Sequence, residues 1–102
     1  MKTLQESIIG KRGTPQKFLK SNLRSGDIVE TRGGHLMIVN GNKFDFSGGY
    51  CTMINYDDFL MRIDRDIPLW DIMKVYRPKF RIRSFINLEE KLSKETPVWK
   101  RN

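Results

Sequence analysis

The sequence holds one cysteine and one histidine in 102 residues, and these two scarcities exclude much chemistry. A single thiol, Cys51, cannot form an internal disulfide, so the fold does not depend on an oxidising compartment. Cys51 lies in the apolar run Tyr50-Cys51-Thr52-Met53-Ile54 and reads as a small packed residue rather than a nucleophile. His35 has no serine, cysteine or carboxylate partner in sight for a catalytic set, and no metal-ligating motif stands out. The adjacent acids Asp57 and Asp58 read as helix-start charge, not as an acid/base pair. Long hydrophobic runs are also missing. None approaches the roughly 18 residues needed to cross a membrane, and the first residues lack the apolar core of a signal peptide. The expectation is therefore a cytoplasmic protein without catalytic activity, cofactor, metal or membrane contact.

Acidic residues are scarce at both ends of the chain. Residues 1–24 carry six Lys/Arg and one acid, residues 25–73 four and eight, and residues 74–102 nine and three. The net charge of +7 is thus two basic flanks around an acidic middle. Flanks that met on one side would attract phosphate groups or an acidic protein surface; apart, they are ordinary solubilising charge.

What is abundant is turn chemistry. In residues 23–39 (LRSGDIVETRGGHLMIV), Ser25-Gly26-Asp27 predicts a turn, residues 28–31 a strand, Arg32-Gly33-Gly34 a tight reversal, and residues 35–39 a second strand. Asn40-Gly41-Asn42 predicts another reversal. Residues 43–46 follow as a strand with Phe44 and Phe46 on one face, then Ser47-Gly48-Gly49, then a strand over 50–54. Asn55 and its following acids predict one helical turn, with Phe59 and Leu60 plugging the end of a barrel. WDIMKVY, residues 70–76, reads as a strand with Met73 and Val75 inward and Ile72 and Tyr76 on the other side, ended by Pro78. Residues 79–85 (KFRIRSF) alternate as an edge strand or a loop. Asn87 caps a short helix to Lys94, and Val98 and Trp99 dock on the barrel. At the other end, Leu4, Ile8 and Ile9 form a weak helical stripe. Thr14-Pro15 then starts a short helix that buries Phe18 and Leu19 and ends near Asn22.

The expected fold is mainly β with short helices: a small SH3-like antiparallel barrel of five or six strands. Residues 1–22 make a basic N-terminal extension with a short helix, 23–78 the barrel core, and 79–102 a basic strand, helix and tail packed on it.

The frame LRSGDIVETRGG, then the meander, Tyr56-Asp57-Asp58-Phe59-Leu60, DIMKVYRP and PVWKR resembles small uncharacterised proteins of tailed phages and prophages. In that group GDIVELRNGE, YNDDL, DIVKVYRP and IWERE occur in this order. The resemblance covers about residues 23–102 and implies a phage origin and a β-barrel without an assigned activity. Met1 to Asn22 lies outside it.

Two binding roles follow. One is a non-catalytic phage protein that counteracts a host defence system, by binding a defence effector protein or sequestering its nucleotide signal. The other is a nucleic-acid-binding barrel, in which Arg77, Lys79, Arg81 and Arg83 contact phosphates beside Phe80 and Phe85. The candidate binding residues are Arg32, His35, Lys43, Tyr50, Arg77, Lys79, Arg81 and Arg83. The chain is expected to be a monomer or a homodimer paired through the edge at residues 79–85.

Overall fold

Three short turns between residues 31 and 49 reverse the chain, so consecutive strands pair as antiparallel ladders. These are β1 (Ile28–Thr31), β2 (Leu36–Asn40), β3 (Lys43–Phe46) and β4 (Gly49–Thr52). β5 (Ile72–Tyr76) returns beside β1, and β6 (Trp99–Lys100) adds to β5, giving the order β4-β3-β2-β1-β5-β6. The computed structural model describes residues 18–64, 68–80, 82 and 84–102. The protein is mainly β, six antiparallel strands in one sheet with a five-residue helix α1 (Leu88–Leu92) and three 3-10 turns. This is the expected class, a small barrel-like fold, although hydrogen bonding leaves β4 and β6 as free edges and the ladder stays open.

The sheet is covered on both faces. On one face Val29, Met37, Phe44, Val75 and Trp99 join Phe18, Tyr56, Leu60 and Ile72 in the larger core. On the other, Ile28 and Tyr76 meet Leu88 and Leu92 of α1, with Phe80, Ile82 and Phe85 packed against them. The two-residue period explains the division, since Ile28 and Val29 point to opposite faces, as do Tyr76 and Val75. Each fully buried aliphatic or aromatic side chain contributes about 1.5–3 kcal/mol.

A bulge corrects the facing expected for β5. Glu30 pairs with Lys74 but Thr31 pairs with Ile72, so Met73 is the extra residue. The irregularity breaks the alternation and puts Ile72 on the same face as Val75, while Met73 is only half-buried.

Other expectations are corrected too. The described part of residues 79–85 forms no strand, because Phe80, Ile82 and Phe85 all turn into the second core instead of alternating. The sixth strand comes instead from Trp99, which docks as expected, buried against Phe18 at 5.9 Å between ring centroids. The helical turn expected after Asn55 is a 3-10 turn at Met53–Asn55. Beyond it, Asp57 Oδ1 accepts the backbone N–H groups of Phe59 and Met61 and closes a loop. Leu60 is buried there, whereas Phe59 is half in solvent. Helix α1 begins beside Asn87, whose side chain makes no capping hydrogen bond. The stripe of Leu4, Ile8 and Ile9 and the helix start at Thr14-Pro15 lie outside the described residues. The end of that segment is a 3-10 turn, Lys20–Asn22.

Among the described residues, no helix is long and apolar enough to cross a membrane.

Candidate functional site

The end of the sheet at which β1 turns into β2 carries an unusual density of aromatic side chains, and the backbone explains how they gather. In the turn, Arg32 N–H donates to the Asp71 carbonyl at 2.8 Å and Gly33 N–H to the Leu69 carbonyl at 2.9 Å. The hairpin is thereby fastened to the segment that leads into β5. Trp70, between those two acceptors, has its own carbonyl bound by the Tyr56 hydroxyl at 2.7 Å. The buried Asp71 carboxylate accepts Arg62 N–H at 2.7 Å and faces the Arg32 guanidinium at 3.7 Å. Trp70 is thus fixed through its backbone by three different parts of the chain.

His35 lies flat on Trp70, with ring centroids 4.6 Å apart and planes within 11°. Its backbone N–H donates to Thr31 Oγ1 at 3.0 Å, and that hydroxyl is 3.4 Å from Nδ1. Residue 33 must be small for this stack to form. A Cβ there would stand 3.2 Å from His35 Nδ1 and 3.3 Å from the Leu69 carbonyl oxygen. Phe46, from the end of β3, approaches Trp70 at 6.0 Å.

Together with Phe85 these rings line an open cleft of about 320 Å³, with Ser47 and Glu89 as its polar side chains. Its walls come from the β1–β2 and β3–β4 turns, both at the same end of the sheet, and from the segment around α1. Among the described residues, no lysine or arginine lines it. Apolar walls with a few placed polar groups are the usual composition of a small-ligand site.

Two groups near Trp70, the buried Tyr56 and the half-buried Cys51, are both held towards their neutral forms. Burial, reinforced by Cys51 and Asp71 and opposed by Arg62, pushes the Tyr56 hydroxyl up to about 12. Burial also raises the Cys51 thiol, with Arg62 opposing, so the thiolate needed for nucleophilic chemistry is disfavoured. Among the described residues, no group of three or more His, Cys, Asp or Glu is placed to hold a metal ion.

The residues singled out from sequence divide between the two ends of the sheet. Arg32 and His35 share the β1–β2 turn, and of the two His35 lines the cleft. Lys43 opposes Asn40 at the far end of β2, four residues or about 14 Å along the strand from Leu36. There its ammonium lies 4.6 Å from the Tyr50 ring, an exposed cation–π pair on the β3–β4 hairpin. Arg77 also belongs to that far end and is committed to the scaffold. Its Nε and a terminal nitrogen each donate at 2.8 Å to the buried Asp27 carboxylate, which with that hydrogen bond holds the guanidinium pKa above its usual value. Lys79 is exposed. Arg81 and Arg83 lie outside the described residues. One site built from Arg32 and Lys43 together is therefore not what the fold makes.

Several cations of the basic flanks are structural. Lys20 Nζ donates to the carbonyls of Met53 and Tyr56, and Arg101 to those of Ile72 and Phe59. Sequence reasoning missed Phe46, Ser47, Trp70 and Glu89 as site residues, and set Phe85 in a different platform, beside Phe80 and the cations of residues 77–83. Trp70 follows Pro68 just before a strand, and Phe46 and Ser47 sit at a glycine turn. Aromatic residues at strand ends were the available signal.

No family model matches the chain, and no curated protein or solved structure shows significant similarity to it.

Proposed function

We propose that the protein is a non-catalytic binding protein that takes the ring of a nucleotide into the His35–Trp70 cleft. The observation that carries this reading is the cluster of four aromatic side chains in one open cleft, because ring faces are what a base stacks on. Arg32 belongs to the same turn as the cleft residues Gly34 and His35. Its ion pair with Asp71 is 3.7 Å long and the Arg32 side chain is 44% exposed, so the pair is worth about 0–1 kcal/mol and yields readily to a phosphate. The overall charge of +7 steers such an anion towards the molecule. Joined to the resemblance to phage accessory proteins, the proposed role is sequestration of a nucleotide signal used by a host defence system.

The alternative of a nucleic-acid-binding barrel has less support. Arg77 is closed on Asp27, and Lys20 and Arg101 are turned into backbone carbonyls, which leaves fewer cations for a phosphate track. A calorimetric titration with nucleoside monophosphates and with single-stranded oligonucleotides, at two salt concentrations, separates the two. Saturable binding of mononucleotides, weakened about fivefold or more by His35→Ala, supports the cleft. Binding of oligonucleotides alone, with a steep salt dependence and no effect of His35→Ala, refutes it.

A further inference from the structure

We infer that Glu89 makes this cleft selective for a guanine base; the inference rests on the nucleotide reading above. Glu89 and Ser47 are the polar side chains that line the cleft, and the Glu89 carboxylate has no hydrogen-bond or ion-pair partner among the described residues. An ionised carboxylate has acceptors and no donor, two oxygens side by side. It therefore matches a ring edge that offers two adjacent N–H donors.

Guanine offers this pair at N1–H and N2–H. Its neighbouring O6 accepts, and the Ser47 hydroxyl can donate to it. Adenine and cytosine each place a ring nitrogen lone pair beside their amino group, so the second carboxylate oxygen would meet a lone pair instead of a proton. Uracil has a single ring N–H flanked by two carbonyl oxygens. The mismatch leaves a polar group of the site unpaired, which costs more than the absence of a contact. A free phosphate has no reason to enter beside Glu89, so the anionic part of the ligand projects outward, away from that carboxylate. A quaternary ammonium would also suit rings and a carboxylate, since a cation is attracted to both. The positive charge of the whole molecule opposes the approach of such a ligand and favours that of a nucleotide.

The test titrates the full chain and its Glu89→Gln and His35→Ala variants with GMP, AMP, CMP and UMP, with inorganic phosphate and tetramethylammonium as controls. Glu89 is exposed at the start of α1, so the fold of Glu89→Gln is expected to be unchanged, and a thermal melt checks this. The expected result is GMP bound about tenfold or more tightly than AMP, with the preference lost or reversed in Glu89→Gln, whose amide can accept from adenine N6–H and donate to N1. His35→Ala is expected to weaken all four nucleotides by similar factors. Equal binding of the four nucleotides by the wild type, or a guanine preference that survives Glu89→Gln, overturns the inference and leaves the nucleotide reading standing. Binding of tetramethylammonium without any nucleotide overturns both.

Discussion

Replacing Asp27 with alanine removes the anchor of Arg77, and the structure gives the size of the effect. Asp27 is 2% exposed and its carboxylate accepts three hydrogen bonds: Arg77 Nε at 2.8 Å, a second Arg77 nitrogen at 2.8 Å, and Arg24 N–H at 2.9 Å. The bonds from Arg77 are charge-assisted and span fifty residues of sequence, tying the start of β1 to the end of β5. Breaking a fully buried pair costs about 3–5 kcal/mol. Here the guanidinium side chain is 31% exposed and keeps a bond to the Asn22 carbonyl at 3.0 Å, so the stranded cation regains some water. The expected loss for Asp27→Ala is therefore lower, about 2–3 kcal/mol, or roughly 10–20 °C in Tm for a domain of this size. Asp27→Asn, which retains a neutral acceptor, should lose about half as much. Urea unfolding followed by tryptophan fluorescence measures both. Arg77→Gln should also destabilise, while nucleotide affinity stays at the wild-type value, because Arg77 sits at the end of the sheet away from the cleft. A loss below about 0.5 kcal/mol for Asp27→Ala, or a large affinity loss in folded Arg77→Gln, would refute the reasoning and return Arg77 to the ligand site.

Gly33→Ala places a methyl group 3.2 Å from the His35 ring and 3.3 Å from a backbone oxygen that cannot swing away. The expected cost is about 1–2 kcal/mol by denaturant unfolding, with weakened nucleotide binding as the His35–Trp70 stack is displaced. Tyr56→Phe removes the hydroxyl that binds the Trp70 carbonyl and should cost about 1 kcal/mol at neutral pH. The same tyrosine sets an alkaline limit. Its folded pKa is raised from 10 to about 12, so its contribution is fully present below pH 10 and is lost as pH rises towards 12, by about 2 kcal/mol. Unfolding free energies measured between pH 9 and pH 12 should fall more gently in Tyr56→Phe; an identical slope contradicts the assignment.

Much of the fold was legible because turn chemistry and period-two alternation act locally. Glycine reversals at residues 33–34, 41 and 48 delimit strands of which Ile28–Thr31 and Lys43–Phe46 agree with expectation at both ends and the other two differ by a residue or two. What failed was decided by distant contacts. KFRIRSF alternates like a strand, but its apolar residues were drawn to the second core that α1 builds against Ile28 and Tyr76. Met73 was misplaced because a bulge depends on pairing with β1, which no local pattern announces. The site was the least legible part. Basic side chains attract attention in a sequence, yet Arg77 proves to be scaffold and Lys43 stands at the other end of the sheet from Arg32. The cleft instead joins His35, Phe46, Trp70, Phe85 and Glu89, five residues from four separate stretches. Of these, His35 and Phe85 attracted notice from sequence, Phe85 as part of a different platform.

The central claim is that a nucleotide base stacks at the His35–Trp70 end of the sheet. Trp70 and Trp99 are the two tryptophans, and Trp99 is buried in the larger core, packed on Phe18. Their indole N–H resonances in a two-dimensional nitrogen-15 NMR spectrum therefore report on the site and on the core separately. Titration with GMP is predicted to shift the Trp70 resonance in a saturable way while the Trp99 resonance stays in place. A Trp70 resonance that does not move at saturating GMP would contradict the account.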